Sequence, residues 1–211
     1  MIRKNPYFLL FIATAVIVLV ILIEVVFRRP YSFHGTVISP PLPVKDFALQ
    51  TANQREFRLS DQQGKIVLLF FGYTSCPDVC PVTLATFKQV YDSLGEDAQK
   101  VRFVMITADP ERDTPDKVGA YAARFNPEFI GLSGNIPELE AVWKDLGVFV
   151  EKQDSSSAAG YLVSHTASVY VLDQSGSLLM TFPYGTSAND LVDDIRQILK
   201  DPARIELDRG F

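Results

Sequence analysis

Lys65-Ile66-Val67-Leu68-Leu69-Phe70-Phe71-Gly72-Tyr73-Thr74-Ser75-Cys76-Pro77-Asp78-Val79-Cys80-Pro81 is the stretch around which the chain is organised. Lys65 to Phe71 is a continuous apolar run of the length expected of a strand buried on both faces. Gly72 breaks it, and Pro81 suits the first turn of a helix, where its missing N–H has no partner to lose. Both cysteines, Cys76 and Cys80, therefore belong where a strand ends and a helix begins. The unpaired N–H groups and partial positive charge of a helix start stabilise a thiolate. Helical spacing, i and i+4, would put the two sulfurs on one face. Two such sulfurs side by side support either a disulfide or a thiophilic metal.

Outward from this stretch the chain alternates strands and helices. A helix is expected from about residue 80 to 94, then an apolar strand from Val101 to Thr107 ending at Asp109-Pro110. Thr114-Pro115 reads as an N-cap and first helical residue, opening a helix to about Phe125. Phe129 to Leu132 is a short apolar run. Asn135 caps a helix to Leu146 that carries Leu139, Val142, Trp143 and Leu146 on one face. Val148-Phe149-Val150 leads into a polar loop at residues 153–160, read as mobile. Ser168–Asp173 and Leu178–Phe182 flank Gln174-Ser175-Gly176 as a hairpin, and Ser187 caps a last helix whose apolar face is Leu191, Ile195, Ile198 and Leu199. Upstream, Val44–Leu49 and Phe57-Arg58-Leu59 read as short strands. The order predicts an α/β fold, a mixed central sheet with helices on both faces.

Residues 7–27 are almost all apolar, roughly 31 Å of helix and enough to cross a bilayer core. The run ends at Phe27-Arg28-Arg29-Pro30 without a small-residue cleavage site, which favours an uncleaved anchor over a cleaved signal. Glu24 sits near the far end, close to the interface. The expected organisation is a short cytoplasmic segment (1–6), a single N-terminal transmembrane helix (7–27), an extended Pro-rich tether (28–43), one domain (44–200) and a C-terminal tail (201–211). Basic residues flank both ends, so charge does not fix the orientation. A basic start before a first hydrophobic segment favours export of the domain, which suits a single-pass protein of a bacterial inner membrane facing the periplasm. The net charge is −5. Residues 1–29 hold four bases and one acid, so the remainder carries −8, which argues against a nucleic-acid partner.

The chain has two histidines. His34, in the tether beside Gly35, reads as a solvated linker residue. His165 lies at a loop–strand junction, before a strand that can lie beside the cysteine-bearing one; it reads either as a hydrogen-bonded structural residue or as a third ligand. Two thiolates and one imidazole fall short of a closed zinc site. The same set suits Cu(I), or Cu(II) with a weak fourth ligand, and leaves room for a partner's ligand to enter.

These residues resemble the Sco/SenC family of membrane-anchored copper-binding proteins of cytochrome c oxidase assembly. The matching blocks are Gly64-Lys65, Phe71 to Pro81, Asp109-Pro110-Glu111-Arg112-Asp113-Thr114-Pro115, Gly131-Leu132-Ser133-Gly134, Tyr161 with Ser164-His165-Thr166, and Tyr170-Val171-Leu172-Asp173. They run in order over residues 35–200. Ala108 departs from the family's usual Val-Asp-Pro. The resemblance implies a thioredoxin-like fold and a copper site made by Cys76, Cys80 and His165. It further implies a metallochaperone that delivers copper to the dinuclear copper centre of cytochrome c oxidase subunit II, or reduces that centre's cysteines beforehand. Another copper chaperone or a thiol reductant is a further expected partner. Asp78 and Asp109 are candidate supports of the ligands, although Asp78 also suits ordinary stabilisation of a helix start.

The competing reading is a thiol–disulfide oxidoreductase cycling Cys76 and Cys80. Thioredoxin-type motifs place two residues between the cysteines, and this chain has three. A peroxidase would need a threonine and an arginine around Cys76, a set not evident in the sequence. Copper and a disulfide exclude one another at any instant, but the two states can alternate.

Overall fold

A computed structural model describes residues 6–27, 31–154 and 160–200. Residues 1–5, the start of the expected tether at 28–30, the tip of the polar loop at 155–159 and the tail at 201–211 lie outside the described residues. The chain divides into two compact units, Met1–Ser32 and Phe33–Phe211.

In the first unit, helix α1 spans Pro6–Phe27, 22 residues. The Thr14 hydroxyl is satisfied within the helix by the carbonyls of Leu10 and Phe11, at 3.1 and 2.9 Å. Thr14 apart, the described side chains of α1 are exposed and apolar, Phe11 and Ile17 among them. Among the described residues no helix is long and apolar enough to cross a membrane.

The second unit is built on a six-stranded mixed sheet. Its strands are β1 (Thr36–Pro43), β4 (Ile66–Gly72), β5 (Val101–Thr107), β6 (Ile130–Leu132), β9 (Val169–Leu172) and β10 (Ser177–Phe182), in the order β1-β10-β9-β4-β5-β6. β4, β5 and β6 run parallel; β9, β10 and β1 add antiparallel ladders on the other side. β2 (Ala48–Thr51) and β3 (Arg55–Arg58) form one small hairpin, β7 (Val150–Asp154) and β8 (Tyr161–His165) another. The helices are α2 (Val79–Leu94), α3 (Pro115–Ala123), α4 (Ile136–Asp145) and α5 (Ala188–Lys200).

β4 is buried along its whole length, and its alternation divides the core. Ile66, Leu68 and Phe70 pack with Leu84 and Phe87 of α2 and with Leu191, Ile195 and Ile198 of α5. Val67, Leu69 and Phe71 face the other way, against Leu139 and Val142 of α4 and Leu49 and Phe57 of the β2–β3 hairpin. Helices on both faces follow directly from an apolar strand whose side chains alternate. The expected caps form: Thr114 accepts the Lys117 N–H, with Pro115 at the first position of α3, and Asn135 and Glu138 close a reciprocal capping box on α4.

Two expectations are corrected. Residues 36–43 are not a free tether: they are edge strand β1, paired with β10. Its register breaks between Val37 and Leu42, the interval that holds Pro40 and Pro41, and prolines are tolerated at an edge because one side of the strand needs no ladder bonds. His34 is not a solvated linker residue either. Its backbone N–H and that of Gly35 donate to the Asp194 carboxylate at 2.9 Å each, and its ring Nδ1 lies 3.0 Å from Asp194 Oδ1. Asp194 is fully buried on α5, so it requires such donors.

Candidate metal centre

β4 ends at Gly72 and α2 begins at Val79, and Cys76 lies in the turn between them. Its N–H donates to Tyr73 O at 3.2 Å. Cys80 lies inside the first turn of α2. The two sulfurs therefore do not share a helical face, as i and i+4 spacing had suggested. The cause is Pro77: the residue before a proline is kept out of helical geometry. Pro81 occupies the first turn of α2, where it removes no helical bond. Asp78 is the N-cap residue, but its side chain makes no capping bond; it stands exposed at the rim of the site.

Cys80 is buried, Cys76 half-buried, and neither is in a disulfide. The two thiols act as donor and acceptor. The Cys80 thiol donates to the Cys76 sulfur, and His165 and the N–H groups of Asp78 and Cys80 also stabilise that sulfur as a thiolate; against burial, these hold Cys76 down at about 3. Donating to Cys76 and burial together push the Cys80 thiol up. The pair is thus one thiolate and one thiol.

His165 closes β8, opposite Val150 of β7. Its Nδ1 faces the Thr166 carbonyl at 3.2 Å, so Nδ1 carries a proton, and Nε2 lies 3.8 Å from Cys80 Sγ. Protonated, Nε2 donates to sulfur; deprotonated, it offers its lone pair to whatever the sulfurs hold. Edge-on contacts with Phe70 and Tyr73, centroids 6.1 and 5.9 Å away, fix the ring plane. β9, which follows, pairs with β4, so the strand after His165 does lie beside the cysteine-bearing one. A cavity of about 410 Å³ opens beside Cys76 and His165, lined also by Asp78, Phe149 and Gln153. Among the described residues no set of three or more His, Cys, Asp and Glu side chains is assembled as a metal site.

The turn at 109–113 supports both sides of this centre. Asp113, fully buried, accepts the Thr74 N–H (2.8 Å), the Thr74 hydroxyl (2.5 Å) and the Thr107 hydroxyl (3.0 Å). It thereby anchors the cysteine turn to the end of β5. Asp109, 1% exposed, pairs with Arg112 and accepts the Tyr161 hydroxyl at 2.7 Å. Asp109, expected as a support of the ligands, bonds none of Cys76, Cys80 and His165 directly; its partners are Arg112, Tyr161 and, through its N–H, Thr107. Thr74, Arg112, Asp113 and Tyr161 carried no assigned role in the sequence reading, though all lie in its matching blocks. Thr74 and Arg112 are the residue types a peroxidase would use, yet each is engaged by a carboxylate rather than by Cys76.

With this geometry established, the comparisons with known proteins converge. The profile of SCO1/SenC proteins matches residues 38–200. The SCO2-like protein of Rickettsia felis is 31% identical over 152 residues, 72% of this chain and 74% of that protein. The solution structure of apo Sco1 from Thermus thermophilus aligns at a TM-score of 0.72 with 38% identity, covering 80% of this chain and 98% of that one. The structure of Bradyrhizobium japonicum ScoI with copper bound aligns at 0.67 with 34% identity, over 74% and 98%. The mixed sheet described above is the thioredoxin-like core of these Sco structures. The match runs from β1 to the end of α5 and takes in Cys76, Cys80 and His165, and the chain belongs to the SCO1/SenC family.

Proposed function

We propose that this protein is a membrane-anchored copper metallochaperone in which Cys76, Cys80 and His165 hold the ion. The observation that carries the reading is the 3.8 Å between Cys80 Sγ and His165 Nε2. Two ligands at about 2.3 Å (thiolate) and about 2.0 Å (imidazole) from one ion, at an angle of about 120°, stand about that far apart. Two sulfurs and one nitrogen select Cu(I) over harder ions. The copper-bound ScoI of Bradyrhizobium japonicum, 34% identical, supports copper as the cargo. Loading releases the Cys80 proton and any proton on His165 Nε2, so affinity falls as pH falls.

Three ligands leave the ion open to a fourth. The cavity beside Cys76 and His165 is where an acceptor's thiolate enters, and copper passes by ligand exchange to the dinuclear centre of cytochrome c oxidase subunit II. The apolar stretch at residues 7–27, read from the sequence as an uncleaved anchor, ties the domain to a bacterial inner membrane with the copper site in the periplasm.

The test is a Cu(I) competition titration against a chromophoric chelator, using reduced full-length protein in detergent. One-to-one binding that weakens in His165→Ala and collapses in Cys76→Ser supports the reading. Binding indifferent to either substitution overturns it.

One observation favours a second reading, thiol–disulfide oxidoreductase of that same copper centre: a low-pKa, half-exposed Cys76 beside a buried Cys80 thiol. Cys76 would attack a substrate disulfide and expel one thiolate. Cys80, losing its proton, would then displace the second, leaving a Cys76–Cys80 disulfide and a reduced dithiol. A reduction potential of the pair below that of the acceptor's disulfide, with retained activity in His165→Ala, would favour this reading.

A further inference from the structure

Strands β7 and β8 form their own two-stranded sheet, outside the six-stranded ladder. His165, at the end of β8, therefore shares no ladder bonds with β4, the strand that carries the cysteine turn; what joins them is side-chain contact, that of its ring with Phe70 included. Those ring contacts set the plane of the imidazole, and the distance from the start of β8 to the cysteine turn needs a further brace.

The contacts that supply it converge on Arg112. Its Nη1 donates to the Tyr161 carbonyl at 3.1 Å, and its guanidinium carbon lies 3.7 Å from the centre of the Tyr161 ring. The same carbon lies 5.7 Å from the centre of the Tyr73 ring. Tyr161 begins the strand that ends at His165; Tyr73 holds the Cys76 N–H through its carbonyl and touches the His165 ring edge-on. One planar cation thus meets an aromatic ring from each ligand-bearing element. A buried carboxylate fixes that cation: Asp109 pairs with Arg112, accepts the Tyr161 hydroxyl, and is itself held through its N–H by the Thr107 hydroxyl at 2.9 Å. The neighbouring Glu111 pairs with Lys152 of β7.

We infer that Arg112, oriented by Asp109 and seated on Tyr161, is the positioning residue that holds His165 at ligand distance from the thiol pair. The inference rests on the three-ligand reading above. A planar fork with a stacking face is required, which an ammonium does not supply.

The experiment uses reduced full-length protein in detergent and two readouts. These are Cu(I) affinity by chelator competition, and imidazole-nitrogen coupling in the electron paramagnetic resonance spectrum of the Cu(II)-loaded form. Arg112→Gln is expected to weaken binding by about tenfold to a hundredfold, as loss of a ligand's supporting partner does, and to lose the nitrogen coupling. Arg112→Lys should recover part of the affinity and little of the coupling. Combining Arg112→Gln with His165→Ala should bind no more weakly than His165→Ala alone, because both changes remove the same ligand. Retained nitrogen coupling in Arg112→Gln, or additive losses in the double variant, would overturn the inference. Should Arg112→Gln fail to fold, Tyr161→Phe decides: it removes only the hydroxyl bond to Asp109, and wild-type affinity and spectrum there would count against the brace. If His165→Ala binds as wild type, the ligand reading itself fails and takes this inference with it. If His165→Ala weakens binding while the brace variants do not, only the positioning role is lost.

Discussion

The carboxylate of Asp113 holds the backbone of Thr74: Oδ2 accepts the Thr74 N–H at 2.8 Å, while Oδ1 accepts its hydroxyl at 2.5 Å. Asp113 is fully buried and also meets the Thr107 hydroxyl and, at 3.4 Å, Lys117 Nζ. Removing the carboxylate would leave a main-chain N–H and two hydroxyls without that acceptor in the interior. Asp113→Ala is therefore expected to cost about 3–5 kcal/mol, and Asp113→Asn about 1–3 kcal/mol. Urea unfolding of each variant measures this. A loss below 1 kcal/mol in Asp113→Ala would show that water replaces the lost bonds.

Cys76 should be reactive where ordinary thiols are not. With its value held at about 3 by the Cys80 thiol and the neighbouring donors, it stays a thiolate through the mildly acidic range. Iodoacetamide alkylation of the copper-free, reduced protein should proceed at Cys76 with a rate nearly flat from pH 8 to pH 5. An unperturbed thiol would slow about tenfold per pH unit over that range. Cys80→Ala removes the leading cause, so its profile should bend towards ordinary thiol behaviour.

Gly72 closes β4 directly against the sulfur of Cys80. A Cβ there would lie 2.8 Å from Cys80 Sγ and 2.7 Å from Phe70 Cε1, both too close, so both buried groups must give way. Gly72→Ala is expected to destabilise by about 1–3 kcal/mol and to weaken copper binding, since the displaced atom is a proposed ligand. Thermal unfolding with chelator competition checks both. Wild-type affinity in a folded Gly72→Ala protein would mean that the shift of Cys80 Sγ does not disturb the site.

His34 should impose a pH dependence on stability. Its hydrogen bond to Asp194, aided by the nearby charges of Asp194, Asp190 and Asp193, raises its pKa in the folded state. A raised value means that the contribution is fully present below the unfolded value, about 6.5, and fades as pH rises through the folded one. The ring is 42% exposed, so solvent screening keeps the effect modest. Unfolding midpoints of wild type and His34→Gln should differ most near pH 5 and converge towards pH 9. A gap that stays constant across this range would remove the charge from the explanation.

How much of the fold is legible in the sequence depends on where the signal resides. β4, β5 and the β9–β10 hairpin are continuous apolar runs bounded by breakers, and their burial follows from composition alone. The caps at Thr114 and Asn135 are local chemistry within four residues. β1 was hidden because prolines argue against a strand unless its place at a sheet edge is known. β7 was hidden because Val150-Glu151-Lys152-Gln153-Asp154 lacks apolar alternation; its order comes from pairing with β8. At the site, the cysteines announce themselves by spacing. The contacts of Arg112 with Tyr161, and of Asp113 with Thr74, span 49 and 39 residues, and no local pattern carries such pairs.

The seating of β1 has a practical corollary for anyone shortening this protein. A fragment starting at Val44, where composition places the domain boundary, would strip β10 of its outer neighbour and present a fresh row of unpaired amides to solvent, an invitation to self-association. It would also take the His34 and Gly35 donors away from Asp194, deep in the interior. The smallest fragment that keeps both intact begins at Phe33, the first residue of the second compact unit.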